Sequence, residues 1–471
     1  MTTRIETDSL GTIAVPAAAY WGAHTARALE NFTISGIAIS SHPHLVRALA
    51  MIKNAAAQAN HRLGLLDDEK AAAIRAACQE IQDGLHHEQF CVDVIQGGAG
   101  TSTNMNANEV ITNLALEKLG HCRGDYQRLH PIDHVNRCQS TNDTYPTAIK
   151  LALILSVRDL VQELRQLAAA SDAKGTEFSG VVKIGRTQLQ DAVPMTLGQE
   201  FKAFAATIQE DCARLLESTE LMLECNLGAT AIGTGITAEP GYQPLVLQAL
   251  QEISSLPVLV ASDLIEATSD VGVFMHLSGM LKRTAIKLSK ISSDLRLLSS
   301  GPQNGFREIT LPARQAGSSI MPGKVNPVIP ETMNQIAFAV AGADTTVTMA
   351  ADNGQLQLNA FEPVIAHVLL QSTAWLREGA KTLRAHCIEG IEANVEYLAR
   401  TSAASASMVT ALTPAIGYRA AAAVAKEALN SGSTVVDTVT RLRLMDRKTA
   451  QTLLDSSLRP TPTPTTDVYG S

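Results

Sequence analysis

Five stretches of this chain are long, helical in period and apolar on more than one side, and that pattern limits the folds open to it. The clearest runs from Tyr145 to about Asp172, where Ile149, Leu151, Leu153, Ile154, Leu155, Val157, Leu160, Val161 and Leu164 leave little of the helix circumference polar. A helix that is apolar nearly all round has to be covered nearly all round. Similar runs recur over 197–223, 264–298, 330–351 and 361–391. At 1.5 Å per residue such helices span roughly 30 to 50 Å. A single monomeric core hides that much apolar surface poorly, so helices from several subunits are expected to pack together. Composition agrees: hydrophobic residues make up 45% of the chain and aromatics only 4%, and alanine and leucine, which favour helices over strands, carry most of it. The expected fold class is all-α.

Around these runs the chain reads as 471 residues in three parts, 1–143, 144–395 and 396–471. Residues 1–36 read as irregular, punctuated by Gly11, Pro16, Gly22 and Gly36, and helices are expected over 44–62 and 67–83. Past about Glu392 short alanine-rich helices are expected, and the tail from Arg459 to Ser471, rich in proline and threonine, is expected to be mobile. The net charge of -8 gives no general attraction to nucleic acid or to an anionic membrane surface. Seven cysteines without a Cys-x-x-Cys pair fit scattered buried thiols in a reducing cytosol better than a disulfide framework or a zinc site. The N-terminus lacks an apolar signal core and no uncharged run reaches membrane length, so the expected location is cytoplasmic.

Four polar loops carry the chemistry. The segment 317–331, Gly-Ser-Ser-Ile-Met-Pro-Gly-Lys-Val-Asn-Pro-Val-Ile-Pro-Glu, places Ser318, Ser319, Lys324 and Asn326 among glycines and prolines that forbid a continuous helix. Inward peptide N–H groups beside those side chains would suit an anion. Over 96–109, three glycines run into Thr101, Ser102 and Thr103 ahead of a helix expected from about Asn106; one hydroxyl suffices for a cap, and three favour a site. No strand precedes this loop and no Gly-Lys-Ser/Thr follows, which excludes a nucleotide P-loop. Asn136 to Pro146 is a third polar turn, with Ser140, Thr141 and Asn142 upstream of a helix capped by Asp143 or Thr144. Gly185 to Gln188 forms a fourth, while the glycine-rich segment 226–243 reads as close backbone packing more than chemistry. Hydroxyls, amides, one lysine and backbone N–H groups can hold carboxylates and meet the extra charge that gathers when a proton leaves the adjacent carbon. That points to β-elimination or its reverse.

The string Gly-Ser-Ser-Ile-Met-Pro-x-Lys-x-Asn-Pro closely resembles the signature loop of the aspartase/fumarase superfamily. Further strings that resemble it are Tyr20-Trp21-Gly22 and the segments 93–109, 136–146, 183–201, 263–270 and 297–331, and the pattern is closest to the aspartate ammonia-lyase branch. The resemblance implies a three-domain chain with a central five-helix bundle, 144–395, assembled into a homotetramer whose active sites draw on loops of three subunits. It implies reversible deamination of L-aspartate to fumarate and ammonia through an aci-carboxylate intermediate, with a small dicarboxylate as partner and no cofactor, activation by a divalent metal being left open. Carried over residue by residue, Ser318 is the general base; Thr101, Ser140, Thr141 and Ser319 surround the β-carboxylate; Lys324, Asn326 and Thr187 hold the α-carboxylate; Asn142 and Gln188 lie near the amino group. The fumarase branch resembles this pattern with histidine at Gln188. Expelling hydroxide as water needs a proton donor that an amide cannot be, whereas ammonia leaves an ammonium group as a neutral molecule. Two alternatives stay open, a fumarate hydratase and a lyase for a substituted aspartate. Gly323 stands where alanine is common in the aspartase branch, and the segment after about Gly417 resembles the family weakly.

Overall fold

The computed structural model describes residues 2–457; the proline- and threonine-rich tail lies outside them. The chain is overwhelmingly helical. The five long runs are helices at Thr141–Glu177, Leu197–Glu220, Gly272–Leu298, Val328–Asp352 and Glu362–His386. The run expected from Leu264 is interrupted: a single turn, Glu266–Ser269, precedes Gly272, and the Asp270 carboxylate accepts the Gly272 N–H at 2.9 Å, restarting the helix.

Two compact units divide the chain, each assembled from separate pieces, and they are described in turn. The first comprises residues 1–161, 214–283 and 338–376. Its helices Pro43–Arg62, Asp68–Gln82 and Thr101–Lys118 bury alanine, leucine and isoleucine side chains against one another. Pro43 opens the first at a position where its missing N–H costs nothing, and the Asp67 carboxylate caps the second through the Lys70 N–H. The opening 36 residues, expected to be irregular, instead hold an antiparallel strand pair, Thr3–Asp8 with Gly11–Pro16, and the helix Ala23–Asn31. Strands of six residues give too short a period for a reading based on long runs. The helix has no capping side chain of its own; buried Glu109 accepts the N–H groups of Gly22, His24 and Thr25 from a distant segment.

The second unit comprises residues 162–213, 284–337 and 377–471. Its long helices are laced by polar side chains: Lys287 reaches Glu210 and Asp211 at 2.9 Å each, and Asn334 donates to the Ser289 carbonyl at 3.0 Å. A β-hairpin, Val182–Thr187 with Gln190–Thr196, joins two of them in chain order. The short helices expected after residue 392 are present, from Val395–Ala404 to Arg447–Ser457, around a small core of Leu412, Val424, Val435, Val439 and Leu454. No helix among the described residues is long and apolar enough to cross a membrane. All seven cysteines are free thiols, but they are not all buried as expected: Cys91 is half-buried and Cys122, in the loop after the Thr101–Lys118 helix, is exposed.

Candidate active site

The sequence-predicted site residues fall in both units: Thr101, Ser140, Thr141 and Asn142 in the first, Thr187, Gln188, Ser318, Ser319, Lys324 and Asn326 in the second. In the first unit two helix N-termini meet. The helix of Thr101 begins five residues earlier than the expected Asn106, because Gly100 supplies a left-handed turn (φ 89°) and packs where any Cβ would strike the Tyr145 ring. The second helix begins at Thr141, so Pro146 lies inside it and not in its first turn. The carbonyl of Asn142 that Pro146 leaves without a partner is taken by the Asn226 side-chain amide at 3.0 Å. Asp143 is fully buried and holds the start of the helix together, accepting N–H groups from Ser140 at 2.9 Å, Gly228 at 3.1 Å and Thr230 at 2.9 Å. Burial pushes its carboxyl up to about 6 against those three donors. The glycine-rich segment 226–243 is thus a packing element, as expected: it lends N–H groups to Asp143, and a Cβ on Gly233 would meet the Ile265 backbone nitrogen at 2.5 Å.

Asn104, one turn into its helix, joins the two N-termini by donating to Thr141 Oγ1 at 3.1 Å. Thr101 donates its hydroxyl to the Gly98 carbonyl at 2.7 Å and is exposed; Ser140 Oγ accepts the Asn142 N–H at 3.2 Å. Asn142 gives its own amide to the Ala231 carbonyl at 2.8 Å, so part of its capacity is spent on the fold.

In the second unit Thr187 ends one strand of the hairpin, and Gln188 with Leu189 makes its two-residue tip, both at positive φ (52° and 62°). Thr187 and Gln188 are exposed. The hairpin base is fixed by a buried charge cluster in which Glu308 takes both Lys183, at 2.6 Å, and Arg186, while Lys183 also donates to Glu200 at 2.6 Å. Arg186 lies over the Phe306 ring, 4.5 Å from its centroid. Arg186 is thus held within the fold by Glu308 and Phe306.

The 317–331 segment is a loop up to its helix at Val328, as its glycines and prolines require. Gly317 donates to the Lys324 carbonyl at 2.7 Å and accepts the Asn326 amide at 2.9 Å, which pinches the loop at its neck. A Cβ at Gly317 would sit 2.7 Å from the Lys324 oxygen, so that glycine is demanded by close packing, whereas Gly323 turns at φ 78°, which favours glycine although a Cβ there would meet open space. Inside the loop Ser318 Oγ accepts two backbone N–H groups, from Ile320 at 3.1 Å and Met321 at 3.0 Å. Two N–H donors on one hydroxyl oxygen favour its negatively charged form. Ser319 and Lys324 are exposed, and Ser318, Met321, Gly323 and Lys324 line an open hollow with Arg314 and Gln315. Among the described residues no group of three or more His, Cys, Asp or Glu side chains is arranged to hold a metal ion.

Residues 11–342 match the family described as lyase, and residues 408–457 match the fumarase C C-terminus. The chain belongs to the lyase family. The lyase is 58% identical to the aspartate ammonia-lyase of Pseudomonas aeruginosa over 96% of its own length and 95% of that protein's. It is 52% identical to the aspartate ammonia-lyase of Escherichia coli, with 93% and 91% covered. Among solved structures it resembles a fumarate lyase:delta crystallin from Brucella melitensis bound to cobalt, with a TM-score of 0.94 and 55% identity over 98% of this chain and 100% of that one. The class II fumarase of Schistosoma mansoni follows the same fold at 34% identity, with a TM-score of 0.89 and 96% and 98% covered. The end of the lyase, whose resemblance the motifs leave weak, is thus covered by a family match to residue 457.

Sequence reasoning passed over Lys53, Asn104 and Glu308, all buried polar groups behind the loops. For Lys53 a signal was present: a lysine inside the apolar and alanine-rich string Met51 to Ala57 has nowhere to snorkel.

Proposed function

We propose that this lyase catalyses the reversible deamination of L-aspartate to fumarate and ammonia, as a carbon–nitrogen lyase. The observation that carries the reading is the Ser318 hydroxyl with two backbone N–H groups on its oxygen, since a serine base is affordable only where its alkoxide is stabilised. In this reading Ser318 Oγ takes the β proton and the C–H electron pair moves onto the β-carboxylate as the aci-carboxylate. Thr101, Ser140, Thr141 and Ser319 meet the added charge there, while Lys324, Asn326 and Thr187 hold the α-carboxylate. The pair then returns to form the double bond as the C–N bond breaks, and the ammonium group departs as ammonia beside Asn142 and Gln188. Glutamine at 188 supports ammonia over hydroxide as the leaving group, because an amide supplies no proton.

A homotetramer that completes each site with loops of three subunits goes with this reading, as do a three-part chain, 1–143, 144–395 and 396–471, and a cytoplasmic location. Phe338 at 66% exposure, Met349 at 63% and Ile286 at 50%, all on the long helices, support the assembly, since apolar side chains of this size favour cover. The test is fumarate absorbance on incubation with L-aspartate, with and without magnesium or cobalt. Turnover of L-malate in place of L-aspartate would convert the reading to a fumarase, and turnover confined to a larger substituted aspartate would move the substrate.

A further inference from the structure

We propose that Lys53 is a positioning residue that fixes Thr141 as a hydrogen-bond donor toward the substrate carboxylate and backs it with a buried positive charge. This rests on the elimination reading above. Lys53 lies in the helix Pro43–Arg62 with no exposed surface, and its ammonium donates to Asn104 Oδ1 at 2.7 Å, Asn136 Oδ1 at 2.9 Å and Gln139 Oε1 at 2.9 Å. An ammonium has three donors and no acceptor, so all three amides must turn their oxygen toward it. That orientation sends the Asn104 NH2 the other way, onto Thr141 Oγ1 at 3.1 Å and Asn136 Oδ1 at 3.2 Å. A hydroxyl that accepts from Asn104 keeps its own proton for a further acceptor. Every bond in the sequence Lys53, Asn104, Thr141 therefore points outward, and hydrogen bonds aligned in one direction polarise one another.

Charge makes the second half of the case. None of the three groups that touch the Lys53 ammonium is a carboxylate. The anion that acts on it is Asp143, whose oxygens are committed to the Ser140, Gly228 and Thr230 N–H groups, while burial keeps the nearby Cys78 thiol protonated. Burial pulls the Lys53 ammonium down to about 7, while three oxygens around one nitrogen oppose its deprotonation, because a neutral amine has too few N–H groups to serve them. A cation one amide behind Thr141 lies in low dielectric, where it lowers the energy of charge developing on a carboxylate more than a solvated lysine would.

The experiment uses the full-length protein and two probes, 3-nitropropionate ionised as its nitronate, whose planar carbon and two anionic oxygens mimic the aci-carboxylate, and succinate, whose ordinary carboxylates do not. Lys53→Met is expected to cut the preference for nitronate over succinate by on the order of 100-fold and to lower kcat with little change in KM. Asn104→Ala, which keeps the cation and breaks the relay, is expected to cut the preference by about tenfold and decides the matter if Lys53→Met does not fold. A purely structural role would weaken both probes alike and leave the preference unchanged, which would overturn the proposal. A native protein without any preference for the nitronate would instead overturn the elimination reading on which it rests.

Discussion

The two loop systems assigned to one reaction are built in opposite ways. The wall formed by Ser140 to Asn142 and the start of the Thr101 helix sits on buried polar groups: Asp143 and Lys53 have no exposed surface, and between them they engage seven hydrogen-bonding partners, three N–H groups, the Thr144 hydroxyl and three amide oxygens. The arm at 317–326 is mostly exposed, and its hydrogen bonds close on itself, Gly317 to Lys324, Ser318 to Ile320 and Met321, Asn326 to Gly317. The contrast teaches a division of labour. In the proposed reaction, donors that receive charge would gain from being fixed in advance, whereas a loop with few buried contacts would open at little cost.

The largest expected effect separates the two directly. Ser318→Ala is expected to reduce kcat by about 1,000-fold or more while leaving the thermal midpoint where it was, because nothing in the fold depends on that hydroxyl beyond two loop N–H groups. Fumarate release and a melting curve measure both; near-normal turnover excludes the serine as base. Next is Asp143→Ala in the wall, which strips three backbone N–H groups of their acceptor and is expected to cost on the order of 3 kcal/mol in urea unfolding. Unchanged stability would erase the contrast between wall and arm.

A smaller effect appears with pH. Glu362 is fully buried, faces Lys150, and is pushed up to about 8 by burial. A carboxyl whose pKa is raised on folding contributes stability that is complete below the unfolded value near 4.5 and is lost as pH climbs through about 8. Glu362→Gln is accordingly expected to flatten the decline of stability between these values, by roughly 2 kcal/mol, as read from unfolding midpoints across pH. A decline as steep as in the native protein would assign it to other groups. Smallest is Lys324→Ala on the arm, expected to raise KM for L-aspartate about tenfold with stability unaltered, since the side chain is exposed; unchanged KM would remove its carboxylate contact.

Much of this was legible in the chain. The five long helices follow from their apolar period, and Gly317 stands where a side chain would strike the Lys324 carbonyl. The N-terminal strand pair was not legible, because strands of six residues paired through a short turn leave only a weak local pattern. Nor was the early helix start at Thr101, which depends on Tyr145 closing over Gly100 from 45 positions away. Lys53 and Glu308 escaped for a related reason: a single charged residue says nothing of its partners, and theirs come from sequence-distant segments.

By itself the sequence determined the helical class, the polar loops and the family, since period, backbone demands and motif strings are local properties of the chain. Only the tertiary structure decided which groups stand behind those loops and which way their hydrogen bonds point. The direction in which an amide donates is set by its neighbours in space, and for Thr141 that neighbour is an asparagine turned by a lysine 88 positions earlier in the chain.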